Sequence, residues 1–152
     1  MSTTPTGPRL QRATLVVADL ERALGFYRDV LGLSVAYVLA HRDESYSIPV
    51  FDIPAGARLR FCTLSSPTQE RCLALTEVTG APLYPVPRPR RAAVVMEVPD
   101  PDRVVAGATA LGLQVYPEEV LKTPDGRTGR EIGIVDADDH LVVIYTITSR
   151  TA

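Results

Sequence analysis

The chain repeats itself at a spacing that a strand, a helix and a second strand all respect. Thr14-Leu15-Val16-Val17-Ala18-Asp19 in the first half is matched by Val94-Val95-Met96-Glu97-Val98-Pro99-Asp100 in the second. Leu31-Gly32-Leu33 is matched in the same way by Leu111-Gly112-Leu113. The aspartates at 19 and 100 stand 81 positions apart, and the triplets beginning at 31 and 111 stand 80 apart. A spacing kept through three elements marks a duplicated unit, and each copy must fold as the other does.

Each unit has its own physical logic. Asp19 and Asp100 (or Asp102) are placed to cap helix N-termini, where a carboxylate meets free backbone N–H groups and the positive end of the dipole. Leu20, Ala23, Leu24, Tyr27, Val30 and Leu31 recur at helical spacing, as do Val104, Val105, Ala108 and Leu111. Gly32 and Gly112 follow as left-handed helix stops, each running straight into a β-rich stretch. Strands are predicted near 35–40, 48–52, 58–64 and 71–78, and again near 114–118, 130–135 and 141–147. Turn-forming clusters separate them, such as Pro54-Ala55-Gly56 and Pro124-Asp125-Gly126. Pro82, Pro85, Pro87 and Pro89 cannot donate to a sheet ladder, so about 80–90 reads as a linker. The organisation is therefore an unstructured tail over 1–8 and one domain over 9–148. Module one spans about 9–79 and module two about 91–148.

Composition narrows the function classes. With 152 residues, 45% hydrophobic, the chain is long enough for one real core. A net charge of −2 gives no general pull toward nucleic acid or anionic lipid. Arg88, Arg90 and Arg91 are the one basic cluster, read as a solvated linker rather than an anion contact. No stretch is apolar enough to span a bilayer, and Met1–Pro8 lacks the basic flank and apolar run of a signal peptide, so the cytoplasm is the expected location. Cys62 and Cys72 are read there as free thiols.

Val17-Ala18-Asp19-Leu20-Glu21-Arg22-Ala23 followed by Phe26-Tyr27-Arg28-Asp29-Val30-Leu31-Gly32, together with the turn Asp136-Ala137-Asp138-Asp139-His140, resembles the glyoxalase/bleomycin-resistance/extradiol-dioxygenase (vicinal oxygen chelate) superfamily. The resemblance runs over roughly 9–148. It implies an α+β fold of two tandem βαβββ modules, a curved and mostly antiparallel half-barrel around a cleft, often in a homodimer. In metal-dependent members four side chains, usually His, Gln or Glu, hold a divalent ion there. Carried onto this sequence, those positions are Arg12, Ala74, Ala93 and Val143. Arginine offers no free lone pair and the other three have no donor atom, so no metal or other cofactor is expected.

Strand alternation gives a register. Leu15, Val17, Leu73, Leu75, Val94, Met96, Val98, Val142 and Ile144 are uniformly apolar and are expected to pack the helices. The alternate set is then free to line the cleft: Arg12, Thr14, Cys72, Thr76, Glu97 and Tyr145, with Tyr37, Tyr46, Phe51, Arg60, Phe61 and Tyr116 on the side walls. Arg12 either pairs with Glu97 in place of a metal or binds a ligand carboxylate or phenolate. Glu97 and Tyr145 are the candidate acid/base groups if the site is catalytic. His41 is read as solvated in a polar loop, and His140 as a local partner of the acidic turn.

Three functions follow. The preferred one is a metal-free protein that binds a small aromatic or amphipathic molecule. The alternatives are a metal-dependent lyase, isomerase or dioxygenase, and a metal-free acid/base enzyme.

Overall fold

The computed structural model describes residues 4–149; the first half of the expected 1–8 tail lies partly outside them, and 4–8 carry no helix or strand. Module one comprises β1 (Ala13–Val17), α1 (Leu20–Tyr27), β2 (Ser34–Leu39), the short α2 (Ser47–Val50), β3 (Arg58–Ser65) and β4 (Leu73–Thr79). Module two comprises β5 (Val94–Glu97), α3 (Pro101–Ala110), β6 (Gln114–Val115), β7 (Glu119–Lys122), β8 (Thr128–Val135) and β9 (Leu141–Ser149). The first sheet has the order β1-β4-β3-β2 and the second β5-β9-β8-β6, with β7 also on β8. In both, the first strand is an edge strand lying parallel to the last, and the remaining pairs are antiparallel. The two sheets are not closed into a barrel.

The caps form as the chemistry requires. Asp19 Oδ1 accepts from the Arg22 N–H at 3.0 Å, and Asp100 Oδ1 from the Arg103 N–H at 3.2 Å; Asp102 lies in the first turn of α3 instead. Gly32 and Gly112 adopt φ of 84° and 74°, the left-handed conformation that a side chain would resist. All nine residues assigned to the helix-packed faces belong to, or pack against, one core that joins both sheets with α1 and α3.

The 48–52 segment is not a strand. Pro49 has no N–H to give a ladder, and the chain turns helically through α2 and leaves it at Asp52 with a φ of 52°. Its Ile48, with Ile53, instead packs on Leu59 and Val78 as a satellite core. The 114–118 strand is shorter than expected, and β7 is an addition that its mixed Glu-Val-Leu-Lys sequence did not announce.

The acidic turn fastens the modules together. Asp136 Oδ1 accepts from the Asp138 and His140 N–H groups, and its Oδ2 accepts from the Tyr27 hydroxyl of α1 at 2.7 Å. Asp138 Oδ1 accepts from the Ala18 N–H and from Arg22, while His140 Nε2 donates to the Val16 carbonyl at 2.7 Å. Burial, with Asp136 beside it, holds the Tyr27 phenol far above its ordinary range, so it remains a donor. The basic linker is likewise not simply solvated. Arg88 and Arg90 both bind Asp139, which also accepts from the Val86 N–H. Those hydrogen bonds, Arg88's first, hold the Asp139 carboxyl well below the usual carboxylate range.

Candidate functional site

Helices cover one face of each sheet, so a binding site must use the other. On the helix-free face of module one, β-pairing sets two rows across the sheet. Thr14, Ala74, Thr63 and Tyr37 form one; Val16, Thr76, Phe61 and Leu39 form the next. Thr63, Ala74 and Thr76 are almost wholly buried, and the hydroxyls of Thr63 and Thr76 find no hydrogen-bond partner. The Tyr37 ring lies 6.3 Å from that of Phe61, and the Arg12 guanidinium lies over the Phe61 ring, 6.0 Å from its centroid. That is the outer limit of a cation–π contact. Among the described residues Arg12 has no carboxylate partner.

This face continues into a pocket of about 270 Å³. Leu39, Leu59 and Phe61 provide its sheet side, and Arg42, Ser45, Tyr46, Ser47 and Val50 its other wall. The wall is held in place by His41. Its Nδ1 accepts from the Leu59 N–H at 3.0 Å, so Nε2 carries the proton and donates to Asp43 at 2.8 Å. His41 is therefore an anchor only 11% exposed, not the solvated loop residue its polar neighbours suggest.

The same rows in module two hold different chemistry. Val95, Val143 and Gly133 occupy the first; Glu97, Tyr145, Glu131 and Glu119 occupy the second. The Tyr116 side chain, hydrogen-bonded by Arg90, lies where a Cβ on Gly133 would come within 3.1 Å of it. The Tyr145 hydroxyl donates to Glu97 Oε2 at 3.2 Å. Desolvation and then that carboxylate raise the Tyr145 phenol above its ordinary value, which keeps it protonated near neutrality.

The structure thus brings Arg12, Thr14, Tyr37 and Thr76 onto one face and leaves Glu97 and Tyr145 on another. No Arg12–Glu97 pair forms: Arg12 precedes the start of β1, whereas Glu97 ends β5. Arg60 is not a wall of the cleft. It lies on the helix side, where its Nε and Nη2 bind Glu77 at 2.8 and 2.9 Å, and Glu77 Oε2 also accepts the Leu20 N–H at the start of α1. Cys72 packs against the core with its thiol toward the Leu64 carbonyl; it and Cys62 are free thiols. Phe51 stays exposed outside the pocket. Thr63, Leu39, Leu59 and Arg42 were missed. Alternation along β3 would have found Leu59 and Thr63 beside Phe61, but Arg42 sits in a loop without periodicity.

A second cavity of about 90 Å³ lies on the helix side, beneath Phe26, Tyr27 and Leu113 and beside the acidic turn. Its polar groups are those already committed to joining the modules.

The model of the Glyoxalase/Bleomycin resistance protein/Dioxygenase superfamily matches residues 9–144. The chain belongs to this superfamily. A glyoxalase family protein from Bacillus cereus shares the superfamily fold at TM-score 0.72 and 17% identity, over 98% of this chain and 100% of that one. A glyoxylase/bleomycin resistance protein/dioxygenase domain from Frankia sp. gives 0.66 at 16% identity, over 96% of each chain. The fosfomycin resistance protein FosX of Listeria monocytogenes gives 0.59 at 18%, over 94% and 96%, and that protein has also been solved with Mn(II) and sulfate. No curated protein sequence matches. At these identities the likeness speaks for the fold.

The four positions that the resemblance assigns to metal ligands, Arg12, Ala74, Ala93 and Val143, hold no ligating side chain. Ala74 is buried within β4, Val143 lies in β9, and Ala93 immediately precedes β5, none with a ligating atom. Among the described residues no group of three or more His, Cys, Asp or Glu side chains could hold an ion. No helix among them is long and apolar enough to cross a membrane.

Proposed function

We propose that this superfamily member is a metal-free binding protein for a small aromatic or amphipathic molecule, held on the helix-free face of module one. One observation carries the reading. At the position where the superfamily places its first metal ligand stands Arg12, its guanidinium over Phe61 and without a carboxylate partner. A guanidinium supplies fixed positive charge and a planar fork for a carboxylate or phenolate, so it takes over the electrostatic task of an ion without its Lewis acidity. The apolar rows beside it, with few polar groups, have the make-up of a small-molecule site.

Elemental analysis of dialysed protein tests this, together with a thermal-shift screen of aromatic acids and phenols. Ligands that raise Tm without turnover, on protein lacking stoichiometric metal, support it. Near-stoichiometric Ni, Zn, Fe or Mn would overturn it.

The Tyr145–Glu97 hydrogen bond favours a second reading, a metal-free acid/base enzyme with Tyr145 as proton donor and Glu97 as base. Product formation abolished by Glu97→Gln or Tyr145→Phe would select it. The expectation of a cytoplasmic homodimer accompanies the first reading. It is supported by the edge strands β1 and β5, each paired on one side, and by Val95, which is 62% exposed. Sedimentation of the purified chain as a monomer would remove the dimer.

A further inference from the structure

We infer that the pocket beneath the 42–50 wall is the specificity site of the binding protein proposed above, and that it selects a flat apolar anion, an aromatic carboxylate, through Arg42. The inference rests on that reading and adds to it the ligand's class and a second cation. Its first support is charge. Arg42 is the only charged side chain lining the pocket, and among the described residues it has no carboxylate partner. The corresponding row of module two carries Glu97, Glu131 and Glu119, so the molecule's helix-free faces differ in sign where they differ most in polarity.

The second support is shape and preorganisation. Leu39, Leu59 and Phe61 give a flat apolar side on adjacent strands, and at about 270 Å³ the pocket sits just under the roughly 300–1,000 Å³ of drug-sized sites. The opposite wall is fixed before any ligand arrives. His41 ties its entry to the Leu59 backbone, and Ile48 and Ile53 pack on Leu59 and Val78. A ring in the pocket then meets Phe61 and Arg42 in its lining, with Arg12 over Phe61 beside it. The Ser45 and Ser47 side chains and the exposed Tyr46 ring complete the rim.

The test compares 1-naphthoate with its neutral analogue 1-naphthalenemethanol, titrated into the full chain and followed by NMR. The wild type should bind naphthoate about a hundredfold more tightly, about tenfold for each charge-assisted contact from Arg12 and Arg42. Arg42→Gln should lower that preference about tenfold and change the neutral analogue's affinity far less. Arg42 is exposed, so the variant folds. Equal binding of the two probes, no naphthoate binding at millimolar concentration, or an unaltered preference in Arg42→Gln would overturn the inference. Arg12→Ala separates it from the underlying reading. Loss with Arg12→Ala but not with Arg42→Gln leaves the Arg12 site and removes the pocket; the reverse leaves the pocket and removes Arg12.

Discussion

The two helix-free faces began as copies of one unit and now share almost nothing. Where module one has Thr63, Phe61, Ala74 and Thr76, module two has Gly133, Glu131, Val143 and Tyr145 at the same places in its rows. The first face buries Thr63, Ala74 and Thr76 and carries Arg12 and Arg42 near it. The second is open and acidic, with Val95 exposed. The helix-packed faces, in contrast, are mainly apolar in both copies, because each must bury its strands against a helix and join one core; the Arg60–Glu77 pair at the start of α1 is the polar exception in module one. Duplication preserved what packing requires and released what it does not, and the released face is where function can differ.

The largest expected effect tests the conserved side. Glu77→Ala leaves Arg60 and the Leu20 N–H without their acceptor and should cost about 2–3 kcal/mol in urea unfolding. Its acid form is informative too. Hydrogen bonds from Arg60, then from the Leu20 N–H, outweigh desolvation and hold the Glu77 pKa below its ordinary value. The stabilisation is therefore present above the usual glutamate range and is lost as pH falls through and below it. Glu77→Gln should flatten that acid limb; an unchanged limb would mean the pair contributes nothing.

Gly133→Thr makes module two resemble module one at a single point. Its Cβ would meet Tyr116 Cδ2 at 3.1 Å and Leu141 Cδ1 at 3.5 Å, so a cost of about 1–2 kcal/mol is expected by overpacking. A gain would show that the open face lacks only filling.

Thr76→Val replaces a buried, unpartnered hydroxyl with a methyl group of similar volume. It should raise stability by up to about 1 kcal/mol, measured as Tm. A loss would show that the hydroxyl is satisfied. The smallest effect belongs to the exposed face: Tyr145→Phe should change unfolding free energy by less than about 0.5 kcal/mol.

Much of the fold was legible because its signals are local and periodic. The caps at Asp19 and Asp100, the glycine stops and the nine core positions all rest on spacing within one element or on its repeat. The 48–52 strand failed where apolar alternation met Pro49, whose missing N–H overrides it. At the site, Arg12, Thr14, Tyr37 and Thr76 could be assigned a face by alternation alone. Arg60 was legible as well, since alternation beside Phe61 puts it on the helix side; only its pairing with Glu77 on the neighbouring strand had no local signal. Arg42, His41 and the Arg88–Asp139 contact depend on loops folding back over the sheets, which no periodicity in the chain records.

The proposed function requires Arg12 to supply the positive charge that a metal supplies in metal-dependent members of the superfamily. The most direct measurement is a 1-naphthoate titration of wild-type and Arg12→Ala protein, each before and after exhaustive dialysis against a chelator. Chelation should leave wild-type affinity unchanged, and Arg12→Ala should weaken it at least about tenfold, the equivalent of 1.4 kcal/mol. Wild-type binding that vanishes on chelation and returns with a divalent ion, or that Arg12→Ala does not alter, would contradict it.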